Sequence, residues 1–454
     1  MARLGSLAAY RAQQRARAVG AGLVGKLSLG ARIAALGDSI IQYGTTTNGT
    51  YSAIRHTVAG EIVWVHARNP RFRIDVWPDS AAPGGLFSGY NRGIAGQTSA
   101  QIAARVGDVV AMKPDACVVA AGVNDTTYDA STLANIRAIC TALRAAGIRI
   151  ILCTIRPWTA SRPSSGDTQA RRDTFGSANA AIRALAVEFG ATLCDLAAAY
   201  GVPGEFAYVD SSLLYDGLHP NAKGAQAGSI ALETAINSMV ADGNWLVSNR
   251  WSRPNLLVNP LLTGSAAPID TGSTGAIPTS YRHQRGNAAY VSTAVLSKLA
   301  ADAVSGSEGV NIDITTVAGA DAEIFRFTQV SQPIAGLDNQ WVQAFAEIDV
   351  DASPYWYSHY LAIYNNSGTV IAEGMPFRNT SSINASEMRT AGAGKLWIST
   401  PPMLVAAGTT GLGLKVEANF NPNAAAGAVL NYKIRRLWMG LVPDPRPLWN
   451  VAVA

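Results

Sequence analysis

Two short motifs hold the residues of this chain best suited to chemistry: Ser39 in Gly37-Asp38-Ser39-Ile40, and His219 in Asp216-Gly217-Leu218-His219-Pro220. A serine hydroxyl is a weak nucleophile until a base takes its proton during attack. An imidazole can be that base when a carboxylate fixes its tautomer and steadies the imidazolium that forms. Asp216 stands three residues before His219, a spacing that suits a tight turn. Of the five histidines, His56 and His66 read as structural or surface residues of a helical stretch, while His283 and His359 lie near no nucleophile. Charge that develops on a substrate oxygen needs preorganised donors. Candidates are the backbone N–H of Ser39, that of Gly96 in Asn91-Arg-Gly-Ile-Ala-Gly-Gln-Thr98, and the amide of Asn124 in Gly122-Val-Asn-Asp125. Taken singly, each motif has an ordinary use as a turn, a helix cap or a helix N-terminus. Their order and number point to catalysis.

The elements that must position these groups follow from the apolar pattern. Strand candidates at 31–36, 72–77, 115–121, 148–154 and 191–195 alternate with helical stretches near 51–67, 98–112, 131–146, 170–189 and 220–240. Short buried strands separated by longer amphipathic segments predict a parallel sheet with helices on both faces. Ligands bind such sheets at the carboxyl ends of the strands. Ser39, Gly96, Asn124 and His219 all fall at that rim. Trp158, Tyr43 and Tyr128 lie in loops expected to border it, as a sugar-stacking wall or as plain rim packing. The connections 79–92 and 155–169 would shape the groove.

Patterning changes after residue 242. The stretch Gly243–Pro254 carries turn formers and no periodicity, which predicts a linker. Beyond it, alternating segments at 309–316, 322–330, 340–350, 358–364, 368–373, 395–399, 411–418 and 428–441 predict an antiparallel β-sandwich. The predicted organisation is a basic helical leader over 1–30, an α/β domain over 31–241, a linker over 242–254 and a sandwich over 255–454. Trp341, Tyr355, Trp356, Tyr357 and Tyr360 are either sandwich core or rings for polysaccharide capture.

The 454 residues carry 36 basic and 31 acidic side chains, with six of the basic ones and no acid before residue 38. The rest is near neutral, which argues against nucleic acid as a partner. Arg11, Arg15 and Arg17 interrupt any apolar core of a signal peptide, so the leader reads as a frayed tail or an anchor for docking on a larger assembly. No run of about 18 apolar residues predicts a membrane span. Cys117, Cys140, Cys153 and Cys194 read as buried free thiols, which implies folding under reducing conditions, and their spacing fits no metal motif. Gly20–Gly25 has the spacing of a dinucleotide fingerprint but follows no strand and lacks the acidic residue. No Gly-x-Ser-x-Gly elbow is present.

Four blocks in order, around Ser39, Gly96, Asn124 and Asp216/His219, resemble the SGNH/GDSL hydrolase superfamily over roughly residues 30–240. Ile40 stands where that family usually has leucine, and the glycine block departs from the usual form. The resemblance implies a flavodoxin-like three-layer parallel sheet. It also implies a catalytic set of Ser39, Asp216 and His219, with Ser39, Gly96 and Asn124 as oxyanion donors and no cofactor or metal. Asn255-Leu-Leu-Val-Asn-Pro260 resembles the opening of jelly-roll modules of carbohydrate-binding and phage tail proteins. The expected function is a serine esterase that removes small acyl groups, acetyl above all, from a polysaccharide through an acyl-enzyme. A virion or tail component acting on bacterial surface glycan would join these features. A lipase, a thioesterase or a non-catalytic binding protein are the alternatives. A homo-oligomer is compatible with this reading.

Overall fold

The computed structural model of the chain describes residues 25–43, 61–62, 65, 69–73, 76–78, 87–89, 91–163, 165–245, 251, 253–266, 269–270, 272–286, 292–317, 323–329, 332–333, 336–353, 355–368, 370–374, 394–400, 402–420 and 426–443. Residues 1–24 of the basic leader, His56, His66, most of the 51–67 stretch and most of the 79–92 connection lie outside the described residues.

The α/β domain runs β1 (Ala31–Gly37), α1 (Ser39–Tyr43), β2 (Phe72–Arg73), β3 (Val76–Pro78), β4 (Phe87–Gly89), β5 (Asn91–Gly93), α2 (Ser99–Ala104), α3 (Val106–Met112), β6 (Ala116–Ala120), α4 (Ala130–Ala145), β7 (Arg149–Cys153), α5 (Gln169–Phe189), β8 (Thr192–Cys194), α6 (Leu196–Ala199) and α7 (Ala222–Met239). The main sheet has the order β2-β1-β6-β7-β8, with β5 also paired to β1, and every pairing is parallel. Ile33, Ala34, Ala35 and Leu36 of β1 and Cys117, Val118 and Val119 of β6 are fully buried. Such runs, apolar at successive positions, belong to a sheet covered on both faces.

The predicted strand at 72–77 is corrected. Its first two residues pair with the start of β1, while Val76–Pro78 leaves the sheet and pairs antiparallel with β4. The end of β1 is joined instead by β5, in the register Ala35↔Asn91, Leu36↔Arg92 and Gly37↔Gly93. No apolar run marks β5, so periodicity could not find it. All four cysteines are buried free thiols.

The second region is built from β9 (Ser273–Gly275), β10 (Tyr281–Arg285), β11 (Thr293–Lys298), β12 (Val310–Thr315), β13 (Glu323–Gln329), β14 (Gln332–Pro333), β15 (Trp341–Val350), β16 (Trp356–Asn365), β17 (Val370–Gly374), β18 (Gly394–Ser399), β19 (Met403–Leu404), β20 (Gly411–Phe420) and β21 (Val429–Leu441). One sheet has the order β10-β13-β20-β16-β17 and the other β18-β15-β21-β12-β11-β9. All pairings are antiparallel except β9 with β11. Inward residues from both sheets, among them Phe325, Phe327, Val416, Ile312, Ile314 and Tyr432, form one core, as in a β-sandwich. Trp356 and Tyr360 are both 1% exposed, so of the aromatics weighed for polysaccharide capture these two are packed inside. Tyr355 also packs against that core. Both histidines of this region are buried as well, His283 stacked on Phe325 and His359 on Tyr432.

Candidate active site

Ser39 opens the five-residue helix α1 directly after β1. Asp38 starts the turn: its side chain accepts from the Ile40 N–H at 2.9 Å, and its carbonyl accepts from the Gln42 N–H at 2.9 Å. The Ser39 N–H is among the first donors of that helix, which have no acceptor inside it. The neighbouring backbones come very close. A Cβ on Gly37 would lie 2.5 Å from the Ala120 carbonyl, and one on Gly93 would lie 2.1 Å from the Gln42 nitrogen. Glycine at both positions lets β5 press against α1. The Asn91 amide donates to the Ile41 carbonyl at 2.7 Å, and the Gln42 side chain accepts from the Ala95 N–H at 2.7 Å.

The other half of the site is the loop before α7. Asp216 Oδ1 accepts from the Leu218 and His219 N–H groups at 3.0 and 2.8 Å, folding the turn around the carboxylate. Its Oδ2 lies 2.7 Å from His219 Nδ1, and His219 Nε2 lies 2.8 Å from Ser39 Oγ. Burial alone would raise the Asp216 pKa, but the hydrogen bonds from the His219 ring and from the two backbone N–H groups hold it down at about 2. A tautomer with the proton on Nδ1 satisfies both contacts and leaves Nε2 to accept from the serine. The helix begins at Ala222, two residues later than the expected start at 220. Asn221 is the cap, accepting from Lys223 and Gly224 N–H, and Pro220 precedes it.

Gly96 and Asn124 are brought together beside the β5–α2 turn. Gly96 has φ +75 and is exposed, with open space where a Cβ would point. Its backbone conformation, then, is what calls for glycine there. The Asn124 amide donates to the carbonyl of the next residue, Gln97, at 3.1 Å, which uses one of its two N–H groups.

Several residues that position these groups escaped the sequence reading. Asp125 accepts from Ser99 N–H at 2.8 Å, Ser99 Oγ at 2.6 Å and Thr132 Oγ1 at 3.1 Å, which ties α2 to α4 beneath Asn124. Arg171 of α5 donates to the Asn124 carbonyl at 3.1 Å, the Asp125 carbonyl at 2.6 Å and the Gly166 carbonyl at 2.6 Å. Arg105 reaches the Gly37 carbonyl at 2.7 Å, the Arg92 carbonyl at 2.6 Å and the Gln97 side chain at 2.5 Å. Asp125 closes the Gly122-Val-Asn-Asp125 motif, which is the local signal for it. Arg171 sits beside Arg172 on a helix and Arg105 at the joint between α2 and α3, and nothing local distinguishes them.

Trp158 and Tyr128, expected at the rim, are instead 0% and 2% exposed. Trp158 donates to Asp167 at 2.8 Å and carries the Arg162 guanidinium 4.6 Å above its ring. The 155–169 connection does shape the site, but through backbone. Gly217 has φ +87, and a Cβ there would lie 2.4 Å from the Arg162 nitrogen. Its carbonyl accepts from Thr159 at 3.0 Å. The Asp216 turn is thereby seated against that connection. The ring of Tyr43 lies outside the described side chains.

A charged cluster underlies Ser39. Asp38 is 2% exposed, and burial raises its pKa to about 6 against the pull of the Ile40 N–H, Arg156, His219 and Arg162. Arg156 is itself paired with buried Glu61 at 2.7 Å and lies 3.2 Å from the Tyr200 hydroxyl. Among the described residues no three His, Cys, Asp or Glu side chains are grouped to hold a metal ion. None of the helices there is long and apolar enough to cross a membrane.

Residues 35–227 match the model of the GDSL-like lipase/acylhydrolase family. That span holds Ser39, Gly96, Asn124, Asp216 and His219. Over that span the α/β domain is similar to a family of lipases and acylhydrolases, and a serine ester hydrolase of the SGNH type is the class that this match supports. Similar solved structures include an acetylxylan esterase from Geobacillus stearothermophilus, 22% identical over 48% of this chain and 100% of its own, with a TM-score of 0.35. Another is a GDSL-like lipase from Bacteroides thetaiotaomicron VPI-5482, 22% identical over 46% of this chain and 86% of its own, with a TM-score of 0.31. No curated protein matches the chain.

Proposed function

We propose that the protein hydrolyses small acyl esters, acetyl esters first, carried on a carbohydrate. In this reading Ser39, His219 and Asp216 form the catalytic set. Ser39 Oγ attacks the ester carbonyl while Nε2 of His219 takes its proton, and Asp216 holds the imidazolium that results. The alkoxide departs with that proton, leaving an acyl-enzyme. His219 then draws a proton from water, the hydroxide attacks the acyl carbonyl, and the acid leaves with Ser39 restored. The oxyanion in both halves would lie against the N–H groups of Ser39 and Gly96 and the remaining N–H of Asn124.

The observation that carries this reading is the unbroken contact chain from Asp216 through His219 to Ser39, at 2.7 and 2.8 Å. The choice of a small acyl group rests on what surrounds the serine. Ile40 and Ile41 are 7% and 3% exposed and belong to the core, while Gln97 and Asn124, half-buried at the β5–α2 turn, are polar side chains open to that rim. A long-chain lipase needs an apolar channel at that place. Hydroxyl-rich substrates suit a polar rim. The test is hydrolysis of aryl esters of rising chain length, together with acetate release from acetylated xylan and from bacterial surface polysaccharide, each with Ser39→Ala as control. Preference for acetyl and release from a glycan are expected. Faster turnover of long chains would replace this reading with a lipase.

A further inference from the structure

One aromatic ring in the site has no part in the steps above. Tyr215, immediately before Asp216, lies with its ring centroid 5.8 Å from that of His219 and the two planes 27° apart. The backbone enforces this. The Tyr215 N–H donates to the His219 carbonyl at 3.0 Å, and Leu214 and Pro220 form a bridge just outside it. Residues 214–220 are thus a closed turn, in which Asp216 holds one ring nitrogen and Tyr215 lies along the ring face. The second ring nitrogen faces Ser39. An aromatic face within about 6 Å adds an electrostatic attraction for a cation to the packing that it offers a neutral ring.

We propose that Tyr215 is a positioning residue for the base, whose ring face stabilises the imidazolium form of His219 and so lowers the barrier of both proton transfers. This rests on the function proposed above. That added attraction acts when His219 carries charge, which it does as Ser39 attacks and again as water attacks. The other charged groups around His219 are Asp216 on its Nδ1 and Asp38, with Arg156 and Arg162 reaching Asp38 from the 155–169 connection. None of them is altered by a change at position 215.

Tyr215→Leu removes the face, Tyr215→Phe keeps it and Tyr215→Trp enlarges it. With an aryl acetate, the Leu variant is expected to lose three- to tenfold in kcat with little change in KM, and its acid limb to move about half a pH unit lower. The Phe variant should match the wild type, and the Trp variant should move the limb upward. An activity-independent readout runs alongside: NMR titration of the His219 ring in each folded variant, assigned by its loss in His219→Gln. Equal His219 midpoints in the Leu, Phe and Trp variants would overturn the proposal. So would a kcat loss in the Phe variant as large as in the Leu variant. A wild type that titrates as expected but does not hydrolyse esters would instead sink the esterase reading and leave the ring-face interaction standing.

Discussion

The two regions of this molecule both pair buried charges, but they differ in the buried polar groups they leave without a hydrogen bond. In the α/β domain, Asp125, Arg171, Arg105 and the Glu61–Arg156 pair are buried or nearly so, and each holds several partners around the Ser39 rim. Among the described residues there, the buried side-chain atoms without a hydrogen bond are single guanidinium nitrogens of arginines, as in Arg92, Arg149 and Arg162, each of which donates through another nitrogen. In the sandwich, both ring nitrogens of His283, the whole amide of Gln329 and the Tyr432 hydroxyl are buried without a hydrogen bond. His283 lies 5.3 Å from Phe325 at 30°, a ring used as apolar bulk. A domain that must hold donors at fixed places needs its polar groups satisfied. A core that only has to exclude water can bury an unpaired polar atom and bear the cost of about 1–3 kcal/mol.

That contrast can be broken most decisively at Ser39. Ser39→Ala should lower kcat/KM for an aryl acetate by about 10⁴-fold or more while leaving the thermal midpoint nearly unchanged, because only the reacting atom is removed. The reverse result is expected in the sandwich. Phe327 is 2% exposed and stacks on Tyr281 at 4.8 Å, so Phe327→Ala should cost about 3–5 kcal/mol in a denaturant titration. Its kcat/KM should stay within about twofold; a parallel collapse of activity would show the two regions to be one functional unit. Next in size, Asn124→Ala should reduce kcat about a hundredfold by deleting one oxyanion donor, with KM little changed. An unchanged kcat would remove Asn124 from the site.

Acid should pull the two regions in opposite directions. Burial holds His283 at about 4, below its ordinary value. The unfolded chain therefore binds more protons between pH 6.5 and 4, and the sandwich loses stability as pH falls through that window. Burial holds Asp38 at about 6, above its ordinary value. There the folded state binds more protons, so that group's contribution is complete below pH 4 and is lost as pH rises through 6. Each effect is on the order of 2–3 kcal/mol. His283→Leu should flatten the acid loss of the sandwich, and Asp38→Asn should stabilise the protein at pH 8 far more than at pH 4. Thermal midpoints of both variants across pH 4–8 check the signs.

What the linear order revealed, and what it hid, follows the range of the forces concerned. The parallel sheet, the change to alternating strands after residue 242 and the Ser39 and His219 motifs were legible because they are local: apolar periodicity and turn chemistry act over a few residues. The turn at Asp216 is equally local, since its carboxylate closes on N–H groups two and three residues away. By contrast, β5 has three residues and no apolar run. It exists because Gly93 lets it lie against α1 and pair with the end of β1. Trp158 and Tyr128 looked like rim residues from their place in loops, yet they pack on each other, and Trp158 also on Phe175 of α5 and on Phe206 from the segment after α6.

By itself, the sequence determined which groups this protein has for chemistry and the kinds of element that carry them, because residue type and short-range patterning are written in order along the chain. Only the tertiary structure decided that Nε2 of His219 meets Ser39 Oγ across 180 residues. It also decided that Arg105 and Arg171 brace the rim and that the sandwich aromatics Trp356 and Tyr360 face inward. Those outcomes depend on packing between distant elements, where burial and hydrogen-bond satisfaction are settled for the whole fold at once.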